Sequence, residues 1–176
     1  MRFVSITFLI FCSILSYTQQ PTKEQIKQVE DAKKEVKRMK GEAFPDFELT
    51  DINGDTYTKD QLKGEIFLVN FWFTRCRPCI MEMPEMNEMV QEYQDEGIIF
   101  LAPTFDDSDQ VDKFLLKREF LYQPIPDVKE FCLEMNVRSY PTHFVVDREG
   151  IIEKVVIGYS VMTVKSLEKS IRKLLK

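Results

Sequence analysis

The stretch Glu65-Ile66-Phe67-Leu68-Val69-Asn70-Phe71-Trp72-Phe73, running on through Thr74 and Arg75 into Cys76-Arg77-Pro78-Cys79, decides how the chain folds. Its first nine residues are almost continuously apolar, the pattern of a central strand covered on both faces. The cysteine pair follows at once. From Pro78 to Glu96, Ile80, Met83, Val90 and Tyr93 recur at helical spacing. A buried strand therefore delivers two thiols to the first turn of a helix.

Outward from this unit the alternation continues. Phe47 to Thr50 and Thr56 to Thr58 read as short strands around Ile52-Asn53-Gly54-Asp55, where Asn-Gly is a strong hairpin signal. Ile98 to Ala102 reads as a second buried strand, Ser108 as the cap of a helix to about Arg118, and Val128 to Met135 as a short helix. Thr142 to Asp147 and Ile151 to Ile157 are strands joined by Arg148-Glu149-Gly150, and Thr163 to Leu175 closes the chain as a helix. This order predicts a three-layer α/β/α domain with a central mixed sheet over residues 43–176.

The 176 residues suit one domain, and 44% hydrophobic with 30% charged residues is a globular balance. A net charge of -5 argues against a nucleic-acid partner, which needs a basic face to displace counterions from phosphates. Residues 1–18 carry Met1-Arg2 and an apolar run from Phe3 to Tyr17, the pattern of an export signal or a short membrane anchor. Ser16 and Thr18 at the small positions would make Gln19 the first mature residue, and Cys12 would leave with the signal. Export places the chain in a periplasmic or otherwise extracytoplasmic compartment where disulfides persist. Residues 19–42 read as a charged helical spacer, with seven Lys and Arg and four Asp and Glu between Thr22 and Lys40. Its narrow stripe of Ile26, Val29, Val36 and Met39 fits a solvated helix better than one lying on anionic lipid.

Cys76 and Cys79 stand three apart, so one helical turn brings their Cα atoms near the ~5.5 Å a disulfide needs. The first thiol, at the helix N-terminus, meets unpaired N–H groups and the positive end of the dipole, which favour the thiolate and mark Cys76 as the nucleophile. Cys79, one turn inside, is the shielded resolving thiol, and Pro78 sits where a missing N–H is harmless. Each unit of pKa is worth ~1.4 kcal/mol, or roughly 30 mV for a two-electron couple, so the surroundings of Cys76 set the direction of electron flow. A structural zinc site would need two more ligands, against Cys132 and His143 alone outside the N-terminal run. Copper(I) held by the two thiolates with Met81, Met83, Met86 and Met89 fits ligand softness, although a Met-rich helix face is more often core filling.

Several motifs occur in order: Ala43-Phe-Pro-Asp-Phe-Glu-Leu-Thr50, Leu62-Lys-Gly64, Val69-Asn-Phe-Trp72, the cysteine pair with Glu82 and Pro84, and Tyr140-Pro-Thr142. Together they resemble the TlpA/ResA-like thiol-disulfide oxidoreductases of the thioredoxin superfamily, over Ala43 to Lys176. The resemblance implies a thioredoxin fold with an N-terminal β-hairpin extension, a redox disulfide between Cys76 and Cys79, and a cis-proline at Pro141. Pro141 would leave the Tyr140 main chain free to pair with a substrate strand. Glu82, one turn past Cys79 on the same face, would shuttle the resolving thiol's proton, because Asn70 fills the strand position of the usual buried acid and cannot titrate. Trp72 is expected to pack beside the pair and border the substrate, and Pro84 to kink the helix. Arg75 stands where the family often has Trp, and with Arg77 it would favour the thiolate or an acidic partner.

Cys132 reads as a buried free thiol and His143 as a strand-face residue without a catalytic part. The function expected is reduction of disulfides in other extracytoplasmic proteins, with no cofactor, fed by an upstream membrane or periplasmic thiol reductant; cytochrome c maturation is a setting by analogy. A copper chaperone and a peroxiredoxin-like peroxide reductase are the alternatives. Val69 stands where the peroxidatic pattern has proline.

Overall fold

The computed structural model describes residues 20–176. The signal or anchor expected over residues 1–18, with Cys12, falls outside them. No helix among the described residues is long and apolar enough to cross a membrane.

Helix α1 (Lys23–Arg38) opens the described chain. Thr22 caps it by accepting from the Gln25 N–H, while the Gln25 side chain returns a bond to the Thr22 N–H. The helix forms as its spacing predicts, but its narrow stripe is docked rather than solvated. Ala32 and Val36 are buried, and Asn136 donates to Glu35 across the junction.

The hairpin follows. β1 (Glu48–Thr50) and β2 (Thr56–Thr58) pair antiparallel, with Leu49 opposite Tyr57. Asp51 holds the turn by accepting the N–H groups of Asn53 and Asp55 at 2.8 and 3.0 Å. Gly54 takes the positive φ of 89° that the turn requires.

The remaining strands are β3 (Phe67–Phe71), β4 (Ile99–Pro103), β5 (Gln123–Ile125), β6 (Thr142–Val146) and β7 (Ile152–Ile157). They form one mixed sheet in the order β5-β4-β3-β6-β7, with β3 to β5 parallel and β6 and β7 antiparallel to their neighbours. Helices α2 (Arg77–Tyr93), α3 (Ser108–Leu115) and α5 (Thr163–Leu174) give Met83, Val111 and Leu167 to the core on one face. Helix α4 (Lys129–Glu134), α1 and the hairpin give Phe131, Val36 and Leu49 to the core on the other. The expected three-layer α/β/α thioredoxin-like domain with its hairpin extension is the observed architecture.

Two local expectations change. The cap of α3 is Asp107, not Ser108: its carboxylate accepts from Gln110 N–H at 2.8 Å, and Ser108 bonds Asp127 instead. β5 has no counterpart in the sequence reading, because it is three residues long, contains Pro124 and lies at a sheet edge.

Candidate active site

β3 ends at Phe71, and a short turn leads to Cys76, the N-cap of α2. Asp106 fixes this turn: it is buried just after β4, and one carboxylate oxygen accepts the Thr74 N–H at 2.6 Å. Sequence reasoning passed over Asp106, although an aspartate directly after a buried strand is the available signal.

Cys76 and Cys79 form a disulfide, with Cα atoms 5.3 Å apart as the helical spacing requires. The Cys79 N–H donates to Cys76 Sγ at 3.2 Å, so a sulfur occupies the position of a capping oxygen. Cys76, expected to be the attacking thiol, is as shielded as Cys79 in the disulfide. It is 3% exposed and Cys79 1%, because in the oxidised pair Cys76 Sγ turns inward to its partner. Arg75, Arg77 and Pro78 are exposed around it, and neither arginine has an acidic partner within salt-bridge distance among the described residues.

Trp72, expected to border the substrate, has no exposed surface. It is fully buried, its indole N–H donates to the Ala102 carbonyl at 3.0 Å, and its ring packs on Phe114 and Phe120. It shares the core beneath the disulfide, so it packs beside the pair but touches no solvent. Phe73, one residue on, takes the surface position. Its ring lies 5.2 Å from Phe105 and 5.3 Å from Tyr140, and Phe105 lies 5.6 Å from Tyr140. Phe105 is 39% exposed, so these three aromatics make an apolar rim that the sequence reading found only through Tyr140.

The Tyr140–Pro141 peptide is cis. Tyr140 makes no main-chain hydrogen bond within the described residues, whereas the Pro141 carbonyl accepts from Gly158 N–H at 2.7 Å. The Tyr140 hydroxyl neighbours Cys132, the free thiol of α4, and burial raises the pKa of that hydroxyl. Burial likewise pushes the Cys132 thiol up to about 11, which leaves it protonated and inert at neutral pH.

Glu82 lies one helical turn beyond Cys79 and is fully buried. Asn70 is buried on β3, opposite His143 of β6 in register. His143 is no ordinary strand-face residue. Its Nε2 lies 3.1 Å from Glu82 Oε1, though out of hydrogen-bonding alignment, with both side chains sealed from solvent. Helix α2 continues through Pro84 without a break. Met83, Met86 and Met89, three of the four methionines weighed as copper ligands, are core residues; only Met81 is exposed. Val69 is buried in β3, and no proline precedes Cys76 where peroxide chemistry would want it.

Residues 40–155 match the model of the AhpC/TSA family. The thioredoxin-like protein YneN of Bacillus subtilis is 33% identical over 144 residues, covering 80% of this chain and 83% of that protein. The thiol-disulfide oxidoreductase ResA of Bacillus thuringiensis is 32% identical over 143 residues, covering 80% and 82%. Among solved structures, a crystal structure of a DsbE-type thiol:disulfide interchange protein from Chlorobium tepidum superposes with a TM-score of 0.71 at 26% identity, covering 78% of this chain and 98% of that one.

Proposed function

The chain belongs to the AhpC/TSA family, as a ResA-type thiol-disulfide oxidoreductase, and on that premise we propose that it works outside the cytoplasm as a reductase of disulfides in partner proteins. The observation that carries this reading is the disulfide at the N-terminus of α2 with a buried carboxylate one turn further in. Once the pair is reduced, Cys76 Sγ is a thiolate stabilised by the first N–H groups of the helix. It attacks a substrate disulfide and forms a mixed disulfide while one substrate sulfur leaves. Glu82 takes the proton from Cys79, whose sulfur then attacks Cys76 and releases the second substrate sulfur.

The surroundings serve docking. Phe73, Phe105 and Tyr140 offer apolar area to a substrate segment, and the unpaired Tyr140 main chain can extend it as a strand beside Pro141. Arg75 and Arg77, exposed and without acidic partners among the described residues, suit a substrate carrying Asp or Glu near its disulfide. The apolar run Phe3 to Tyr17 supports export, with membrane attachment if it is retained, and the basic α1 would then follow it as the spacer. An upstream extracytoplasmic dithiol returns the pair to its reduced form. Cytochrome c maturation is a setting offered by the TlpA/ResA-like resemblance of the sequence motifs alone.

Trapping tests this reading. Cys79→Ser removes the resolving thiol, so the variant should accumulate as a mixed disulfide through Cys76, and mass spectrometry names the protein attached. Recovery of no partner from the cell envelope, together with no insulin reduction by the unaltered protein, contradicts it.

A further inference from the structure

Glu82 and His143 meet in a place where polar groups are poorly matched. Besides Nε2 and Oε1, 3.1 Å apart, the atoms Glu82 Oε2, His143 Nδ1, Asn70 Oδ1 and the Tyr122 hydroxyl are buried with no hydrogen-bond partner among the described residues. Buried polar atoms left unpaired are rare, and a cluster of them at one place calls for a use. The reading above uses Glu82 and leaves His143 idle.

We propose that His143 is the positioning partner of Glu82: the two, with Glu82 Oε1 and His143 Nε2 3.1 Å apart, pair as carboxylate and imidazolium, and this keeps a carboxylate base available beside Cys79 within an apolar core. The proposal rests on the exchange chemistry above and names the residue that makes its proton step workable.

The argument is one of net charge. Burial disfavours a lone carboxylate, and a carboxylic acid cannot take a proton from Cys79. An imidazolium 3.1 Å away brings the pair to zero. The other groups around it do not. From α2 come Cys76 and Cys79, from β3 the non-titrating Asn70, and from the segment before β5 Tyr122, which burial and the Glu82 charge keep protonated. Helix α5 turns Thr163, Val164, Leu167, Ser170 and Ile171 inward, none of them titratable. Among the described residues no second cation closes on Glu82.

During release Cys79 gives its proton to Glu82 and attacks Cys76. The Cys76–Cys79 bond forms as the bond from Cys76 to the substrate sulfur breaks. The substrate, reduced by two electrons, leaves as a thiolate and is protonated by water, while the cysteine pair is oxidised. With His143 protonated, the site is neutral before the proton transfer (thiol, carboxylate, imidazolium) and neutral after it (thiolate, acid, imidazolium). When an incoming dithiol reduces the pair again, the proton held on Glu82 returns to Cys79.

The test mixes reduced, full-length protein with a chromogenic nitroaryl disulfide, which loses one thiolate when Cys76 attacks and the second when Cys79 does. In His143→Asn the second release should slow roughly tenfold relative to the first at neutral pH, with its pH profile moved up by about one unit. Added to Glu82→Gln, His143→Asn should cause no further slowing. An unchanged ratio and profile, or equal slowing with and without Glu82, overturns the pairing. His143 is the single histidine of the chain, so its imidazole resonances can be followed in the unaltered protein. They should differ between the oxidised and reduced forms and shift in Glu82→Gln; an imidazole indifferent to both overturns the proposal even if the Asn variant does not fold. Failure of the unaltered protein to release either thiolate overturns the exchange reading itself, whereas normal release with an indifferent His143 overturns only the pair.

Discussion

The two faces of the central sheet come from the same strands and are built for opposite ends. In β3, Phe67, Val69 and Phe71 enter the core below α4, while Leu68, Asn70 and, just past the strand, Trp72 point to the α2 side. In β6, Phe144 and Val146 go with the first, and His143 and Val145 with the second. On the α4 side, Phe44 meets Phe47, Phe67 and Phe144 edge-on at 5.5–5.7 Å, and Phe71 lies 5.6 Å from Phe131. On the α2 side the same strands set Asn70 and His143 against the disulfide and Glu82 of α2, among polar atoms that have no hydrogen-bond partner among the described residues. Strand alternation therefore separates packing from chemistry by a single residue step.

The contrast can be tested from both sides. Phe144→Ala, a cavity in the phenyl core, should lower stability by about 3–5 kcal/mol in urea unfolding while exchange per folded molecule persists. A loss of activity beyond the unfolded fraction would show that the two faces are not separable. The free thiol on the α4 side gives the next largest effect. Burial raises Cys132 to about 11, so its contribution is complete below the unfolded-state value near ~8.5 and is lost as pH climbs through the folded one, roughly 3 kcal/mol in all. Unfolding measured between pH ~8 and ~11 should fall less steeply in Cys132→Ala than in the unaltered protein. An identical slope would mean that the thiol is not insulated.

Turning the chemical face into a second packing face is the sharper experiment. Glu82→Met with His143→Leu replaces a buried ionisable pair by apolar groups, and should leave stability equal or raise it by about 1–4 kcal/mol while slowing product release. A double variant much less stable than the parent would give the pair a structural rather than a chemical role. The smallest effect belongs to the rim. Two exposed cations at ~6 Å, with an effective dielectric of ~40–80, bring at most about 0.7–1.4 kcal/mol each before screening. Arg75→Ala with Arg77→Ala should therefore raise the Cys76 titration only modestly, with a larger change at low salt than at high salt.

Much of this was legible in the chain because strand periodicity and helix spacing are local properties. The run Glu65 to Phe73, the Asn-Gly turn and the i, i+3 thiols each carry their geometry within a few residues. What stayed hidden depends on partners distant in sequence. Val36 is buried only because the sheet domain presents a surface to α1, and Glu82 finds His143 only through the pairing of β3 with β6. Trp72 illustrates a third kind: its apolar character was plain, yet strand parity turns it inward and hands the rim to Phe73. β5 escaped because Pro124 reads as a strand breaker, and only an edge position tolerates it.

The central claim is that a sulfur anion forms at the mouth of α2 and is later released by its neighbour one turn on. The most direct measurement is thiolate absorbance against pH in reduced Cys79→Ser, where Cys76 is observed without its partner and Cys132 titrates far higher. A single absorbance step well below the ordinary thiol range is expected. A Cys76 thiol that stays protonated at or above the ~8.5 of a free cysteine would contradict it.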